Sequence, residues 1–506
     1  MSTLKDYRDE RIRKLEEMRK LGINPYPANA HRTNLAKEIT DNFESLQGTE
    51  VSVLGRIINI RKFGKIAFIV VKDVSGNVQL FLKQEMVAQT DPKENMIGID
   101  HLNLLDSGDF IEATGKVIKT QTGEISIEVD ALRFLAKALR PSPTKQDGFT
   151  NKEERLRRRY IDTNVNQDVY DRFIRRSTFW QETRNFLIKE DFIETNIPVL
   201  ETTAGGADAT PFVTHMDALD QDFYLRISHE LPLKRLLVGG YEKVFDIGPR
   251  FRNENYSDEH LPEHVAMEWY WAYANWHDGM RLTERLVRFV ADKTWGTRKF
   301  ILANKVEVDL GNDDTEWPQI SFVDTIKEHY GLDVFTCTLD EVKEQLAKHQ
   351  IEVEQTENRS RGIDKLWKKI RSNILGPVFL VDIPVFLQPL AKEQPNNPQL
   401  SEQFNLILGG SELCKAYSEL NNPIEQLNRF KEQQSMRDAG DDEAMMLDID
   451  YVEALEYGMP PACGFGYSER LFWYLEGVTA REGVIFPQMR RDIDPVTKTI
   501  YPDLYQ

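Results

Sequence analysis

Cysteine is scarce in this chain. Cys337, Cys414 and Cys463 are the whole supply in 506 residues, too few and too widely spaced for a disulfide framework or a zinc site. They read as reduced thiols in a core or beside a site. No run of eighteen apolar residues occurs, and the opening Met1-Ser2-Thr3-Leu4-Lys5-Asp6 has no apolar signal region, so a cytoplasmic protein without membrane attachment is expected. The P-loop pattern G-x-x-x-x-G-K-[ST] is absent. Gly464-Phe465-Gly466 carries Glu469 where a dinucleotide fingerprint needs its third glycine, so Rossmann and P-loop readings lose support. Positive charge is also short, with a net charge of -18.

That balance does not exclude a nucleic-acid partner, because binding needs only a local basic surface that displaces counterions from phosphates. From Leu4 to Leu21, the apolar Leu4, Tyr7, Ile12, Leu15 and Met18 fall at helical spacing. Lys5, Arg8, Arg11, Arg13, Lys14, Arg19 and Lys20 supply charge between them. A second basic cluster is Lys152, Arg155, Arg157, Arg158 and Arg159. Each is either a nucleic-acid footprint or a solvated helix face. Chains beyond roughly 250 to 300 residues usually split, so two or three domains with real cores are expected.

Between Val51 and about Leu135 the apolar period becomes two. Val51–Ile60, Lys65–Asp73, Asn77–Lys83, Asp109–Thr120 and Glu124–Leu135 read as five strands, with a helical stretch after the third. This is an OB-fold barrel pattern, and such barrels stack single-stranded bases on the face of strands two and three. Phe68 is in phase with Ile66 and Val70, whereas Gln79 and Phe81 point away from Val78, Leu80 and Leu82. Phe68 and Gln79 are therefore candidates for base stacking and base-edge contact, the plain alternative being that Phe68 is core.

The chemistry lies further along. Phe251-Arg252-Asn253-Glu254 is followed by His260-Leu261-Pro262-Glu263-His264, and far downstream Gly464-x-Gly466 leads to Arg470. Guanidinium forks match phosphate oxygens, so two arginines on distant segments suit the α- and γ-phosphates of a nucleotide triphosphate while a carboxylate reads the adenine amino group. Each piece alone is a weak signal; the ordered combination is specific. It resembles motifs 2 and 3 of the class II aminoacyl-tRNA synthetases, and Asp168–Lys189 before Asn196-Ile197-Pro198 resembles motif 1, the dimer-forming helix and strand. The phrases Leu21–Pro27, Lys137–Pro141, His229–Leu236, Pro389–Lys392, Tyr417–Asn421 and Ala439–Met445 narrow the resemblance to the lysyl-tRNA synthetases of that class.

The resemblance implies an α+β protein: a five-stranded OB-fold anticodon-binding domain, then a catalytic domain with a mixed, mainly antiparallel sheet flanked by helices. The expected divisions are 1–50 as a basic helix and lead-in, 51–140 as the barrel, 141–167 as a linker, and 168–506 as the catalytic domain with a helical insertion around 296–375. It implies activation of L-lysine by ATP with magnesium, transfer to tRNA(Lys), and a homodimer. Residue by residue, it implies Arg252 at the α-phosphate and the lysine carboxylate, Glu254 at adenine, His260 and Arg470 at the outer phosphates, and His264 beneath the base. Gly205 sits in the loop over the amino acid. On the same resemblance, Glu230 and Glu268 would face the α-amino end, Tyr270 and Glu419 the ε-ammonium, and Lys415 and Tyr417 would complete the pocket. Glu412, Glu419 and Asn405 are set against magnesium.

The pocket has support from the residues themselves. Glu268 and Tyr270 share one face of the strand Val265–Tyr273, and Lys415, Tyr417 and Glu419 are in phase on another. A buried carboxylate needs a cation, which is either the substrate's ammonium or Lys415. Four departures from the family pattern stand out: Asn405 for a metal carboxylate, His264 for the stacking phenylalanine, Lys415 for an asparagine, and a motif 3 one residue short without its third glycine. Two other functions are left open. One is a paralogue that attaches lysine to a protein, against which the barrel argues. The other is a catalytically silent binding protein.

Overall fold

The computed structural model describes residues 3–143, 149–254, 257–353, 358–441 and 443–504. Contacts divide the chain into two compact units, residues 1–151 with 490–506, and residues 152–489.

The first unit opens with helix α1 (Leu4–Lys20), closed at its start by a capping box between Thr3 and Asp6. Most of its basic side chains are paired: Lys5 with Asp9, Arg13 with Glu10 and Glu17, Arg19 with Glu16, and Lys14 with Asp106. The helix is an ion-paired surface rather than an open basic face, because acids lie three and four residues from its cations. Five strands follow, β1 (Glu50–Phe63), β2 (Ile66–Lys72), β3 (Asn77–Lys83), β4 (Phe110–Lys119) and β5 (Ile125–Ala136), closed in the order β1-β2-β3-β5-β4. Alternate residues such as Ala67, Ile69, Val71, Val78, Leu80 and Leu82 point inward and are buried. Burying one Val, Leu or Ile side chain is worth roughly 1.5 to 3 kcal/mol, so the inward row is what closes the barrel. Between β3 and β4 the chain forms a short 3-10 turn at Ile99–Leu104 that buries Ile99, Leu102 and Leu104, not a longer helix. Residues 490–506 join this unit, where Arg8 lies over the Tyr501 ring and Arg140 donates to Thr497. The expected span 168–506 is corrected accordingly.

The second unit begins earlier than expected. Within the expected linker, residues 144–148 lie outside the described residues, while Lys152–Arg157 and Arg159–Val165 are helices of the catalytic unit. Their basic side chains are paired too, Arg157 with Glu153, and Arg155 and buried Arg159 with Asp162. Helix α2 (Gln167–Lys189) leads to an eight-stranded sheet. Its strands are β6 (Ile193–Glu194), β7 (Lys243–Phe251), β8 (Glu263–Ala272), β9 (Gln319–Ser321), β10 (Val378–Val381), β11 (Gln403–Leu408), β12 (Ser411–Ser418) and β13 (Ala462–Ser468). The order is β9-β10-β11-β12-β13-β8-β7-β6. Pairing is antiparallel except at the two edges, β9 with β10 and β6 with β7.

Helix α3 (Glu230–Val238) precedes β7. Helix α4 (Trp276–Trp295) is started by an Asn275/Asp278 capping box and stopped by Gly296 in the left-handed region; Met280, Leu282, Leu286, Val287 and Val290 on it are buried. The region around 296–375 is not purely helical. It holds a β-hairpin, Lys299–Ile301 with Glu307–Asp309, and the sheet edge β9 before its helices, the last being α5 (Arg359–Arg371). Helices α6 (Ile449–Glu456) and α7 (Arg470–Glu476) flank β13.

Candidate active site

A cavity of about 510 Å³ opens over the middle of the sheet, where β8, β13 and β12 lie side by side. Register builds its floor. Glu268 pairs across Gly466 with Lys415, and Tyr270 across Gly464 with Tyr417, so two rows of side chains face each other over a glycine trough. Strands lie about 4.8 Å apart, which makes the trough roughly 10 Å wide. A Cβ at Gly464 would stand 2.0 Å from Glu419 Oε1 and 2.3 Å from Tyr270 Cε1; at Gly466 it would stand 3.0 Å from Glu268 Cγ. The two glycines of the shortened motif 3 are required by what lies across them.

At the acidic end, Glu268 Oε1 accepts from Ser228 Oγ at 2.8 Å and from the His229 amide at 3.2 Å, while Tyr270 donates to Oε2 at 3.1 Å. Burial pushes its carboxyl above the usual range, against the pull of Arg250, whose guanidinium is 3.7 Å away. Glu230 Oε1 accepts from Tyr417 at 2.6 Å and from Lys234 at 2.6 Å. Glu419 is buried just beneath the floor; among the described residues neither oxygen makes a regular hydrogen bond, and Lys234 ion-pairs at Oε2 while Oε1 has no partner. Lys415 is exposed, 5.8 Å from the centre of the Tyr417 ring. The internal partner of Glu419 is therefore Lys234, not Lys415. Gly205 packs on Leu231, and it is Gly206, at φ +83°, that lines the cavity.

The other end is cationic. Arg252, from the end of β7, and Arg470, at the start of α7, both line the cavity together with His260. Arg252 Nε is buried without a hydrogen-bond partner among the described residues. Arg470 contacts Glu259 and Ser411 and reaches the Glu412 carbonyl at 3.4 Å. Glu254 is an exposed part of the lining. His264 accepts from Arg250 Nε at its Nε2, 2.8 Å away, so its Nδ1 hydrogen points to the Leu261 carbonyl at 3.2 Å. Burial and the nearby Arg250 hold it well below the ordinary imidazole value, as a neutral ring fixed in its plane.

Residues 151–490 match the family described as tRNA synthetases class II (D, K and N), and residues 51–135 match the OB-fold nucleic acid binding domain. A lysine–tRNA ligase of Carboxydothermus hydrogenoformans is 42% identical over 488 residues, 95% of this chain and 97% of the relative. Lysine–tRNA ligases of Fervidobacterium nodosum and Thermotoga maritima are each 40% identical, covering 97% and 96% of this chain and 95% and 96% of their own lengths. The chain belongs to the class II lysine–tRNA ligase family. Among the described residues, no helix is long and apolar enough to cross a membrane.

For a member of that family, the three residues set against magnesium do not form one donor set. Glu412 and Glu419 are seven residues apart along and just past β12, about 23 Å at 3.3 Å per residue. Asn405 turns its carbonyl to Gln403 Nε2 at 2.9 Å and donates its own Nδ2 to Glu412 Oε2 at 2.9 Å. Glu412 Oε1 accepts from Trp367 at 2.6 Å, with Arg371 at 3.4 Å. Among the described residues no three His, Cys, Asp or Glu are grouped to hold a metal ion.

Several contributors carried no signal in the lysine–tRNA ligase motifs as read. Arg250 and Ser228 orient Glu268, and Trp367 and Arg371 come from helix α5, in a region with no recognised motif. The i,i+4 pair Glu230 and Lys234 was legible as a helical spacing.

In the barrel, Phe68 is half-buried on the outer face and stacks on Phe81 with centroids 5.0 Å apart at 15°, register partners across β2 and β3. The inward positions are Ala67 and Ile69, so Phe68 is not core. Gln79, on the same face, donates to Ser126 at 3.0 Å.

Proposed function

We propose that this chain activates L-lysine with ATP and transfers it to the 3' end of tRNA(Lys). The observation that carries the reading is one cavity with carboxylates and phenols at one end and guanidinium groups at the other, joined by a glycine trough wide enough for an amino acid. The lysine carboxylate attacks the α-phosphate in line and pyrophosphate leaves; the terminal ribose hydroxyl of the tRNA then attacks the lysyl carbonyl of the adenylate, and AMP leaves. No protein nucleophile is needed, and catalysis is positioning and charge stabilisation.

Arg252, with its unpartnered buried Nε, is proposed at the α-phosphate and lysine carboxylate, and Arg470 with His260 at the outer phosphates. Glu254 and the fixed ring of His264 take the adenine. Glu230 and Glu268 face the α-amino group. Glu419 Oε1, a buried acceptor lacking a donor, with Tyr270 beside it, receives the ε-ammonium. Lys415 stands at the carboxylate side of the trough. Magnesium is proposed as the counter-ion of ATP, and of the three residues considered for it Glu412 is the one carboxylate lining the cavity. The outer face at Phe68 and Gln79 is proposed to read the anticodon, and a homodimer is proposed through α2. A cytoplasmic location is proposed with this activity.

The test is ATP–pyrophosphate exchange with lysine against the other amino acids, followed by charging of tRNA. Lysine-dependent exchange with tRNA charging is expected. Exchange without charging favours the protein-modifying alternative, and no exchange with any amino acid favours the silent one.

A further inference from the structure

Glu230 lines the cavity and Glu419 lies just beneath its floor against Gly464, one opening α3 and the other just past β12, and the ammonium of Lys234 stands between them. Its side chain is fully buried. Two carboxylates so placed in a low-dielectric interior do not both stay ionised unless a cation is shared. The groups facing this cluster are Glu230 on its own helix, Glu268 and Tyr270 on β8, Tyr417 on β12, Tyr451 on α6 and Cys463 on β13. Of these groups, Arg250 ion-pairs with Glu268. Burial works against the Lys234 ammonium, but Glu230 and Glu419 more than offset it and its pKa lies above the ordinary lysine value. Lys234 ion-pairs with one oxygen of Glu419, and among the described residues the other, Oε1, is without a donor at the edge of the trough.

We propose that Lys234 is a specificity-determining positioning residue: it fixes the orientation and the charge of Glu419, so that Oε1 meets the side-chain ammonium of the amino acid. This rests on the lysine reading above. Without Lys234 the deeper carboxyl, Glu419, takes a proton and turns toward Glu230, and a charged contact becomes a neutral one.

The test measures pyrophosphate exchange with lysine and with norleucine, its neutral near-isostere, in wild type, Lys234→Met, Glu419→Gln and the double variant. In Lys234→Met the KM for lysine is expected to rise about tenfold or more, the scale of a lost charge-assisted contact, with kcat changed far less and the KM for ATP unchanged. Preference for lysine over norleucine is expected to fall by the same factor. Adding Glu419→Gln to Lys234→Met is expected to cost little more, because the two changes remove one contact. Fully additive losses, an unchanged lysine KM, or a lower one that marks Lys234 as a competitor of the substrate would each overturn the proposal. If Lys234→Met does not fold, the double variant, which removes both members of the ion pair, is compared with Glu419→Gln alone. Equal lysine KM values then support the proposal, and a further tenfold rise overturns it. A wild type whose exchange ignores lysine defeats the functional reading itself, whereas a lysine-dependent wild type with unshifted variants defeats only the role of Lys234.

Discussion

Glu419 concentrates the chemistry of this site in one side chain: it is buried, ion-paired with an internal lysine at one oxygen, and lacks a donor on the other among the described residues. Glu419→Gln removes a charge-assisted contact worth roughly 1.5 to 3 kcal/mol, so lysine activation is expected to fall by about ten- to a hundredfold while the fold persists. Pyrophosphate exchange beside a melting curve checks both halves. His264 makes a different prediction. Its folded pKa is depressed by burial and by Arg250, so below the ordinary value of 6.5 the unfolded chain binds a proton that the folded chain refuses. Stability contributed by the neutral ring is present above 6.5 and is lost as pH falls toward the folded pKa, by up to about 1.4 kcal/mol per pH unit. Melting temperatures from pH 7.5 to 5.5 are expected to drop more steeply in wild type than in His264→Phe; parallel curves would count against a neutral His264.

Among the elements, β13 does most to shape the site, because its two glycines let side chains of β8 and β12 meet across it. Gly464→Ala places a methyl where Glu419 and Tyr270 already lie, and must displace them. Lysine KM is expected to rise tenfold or more with ATP binding retained, a contact loss of about 1.5 to 3 kcal/mol. Gly466→Ala, with 3.0 Å to Glu268 Cγ, is expected to be milder. Steady-state kinetics on both variants would show the order reversed if the trough were not the amino-acid site. On the barrel, the pairing of β2 with β3 presents Phe68 outward on Phe81. Base stacking is worth about 1 to 3 kcal/mol, so Phe68→Ala is expected to weaken tRNA charging while adenylate formation stays intact. Equal loss of both activities would tie Phe68 to folding instead.

At the scale of the whole molecule, the two units each have their own buried core, and the proposed function gives them separate tasks. Exposed apolar side chains at Ile174 and Ile188 on α2 and at Ile193 on the adjoining edge strand give the second unit a surface suited to a second copy. Light scattering across micromolar concentrations is expected to give twice the mass of the chain; a monomer mass throughout would remove the dimer from the proposal.

The sequence by itself determined the barrel, the strand that aligns Glu268 with Tyr270, and the pairing of Arg252 with Arg470 as phosphate ligands to be tested. Alternation of side chains and the fork geometry of arginine are local properties, readable without a fold. Which face of β2 turns inward was not readable, since Ile66, Phe68 and Val70 are as apolar as Ala67, Ile69 and Val71, and only closure of the barrel chose between them. The internal partner of Glu419 was not readable for the same kind of reason. Lys415 lies close in sequence and in phase, but strand phase sends it into the cavity, while α3 brings Lys234 from 185 residues away in the chain. The direction of the Asn405 amide, set by Gln403 and Glu412, and the return of residues 490–506 to the first unit belong to the same class. Contacts between distant segments depend on how buried surfaces and unpaired charges are satisfied together, and that balance exists only in the folded chain.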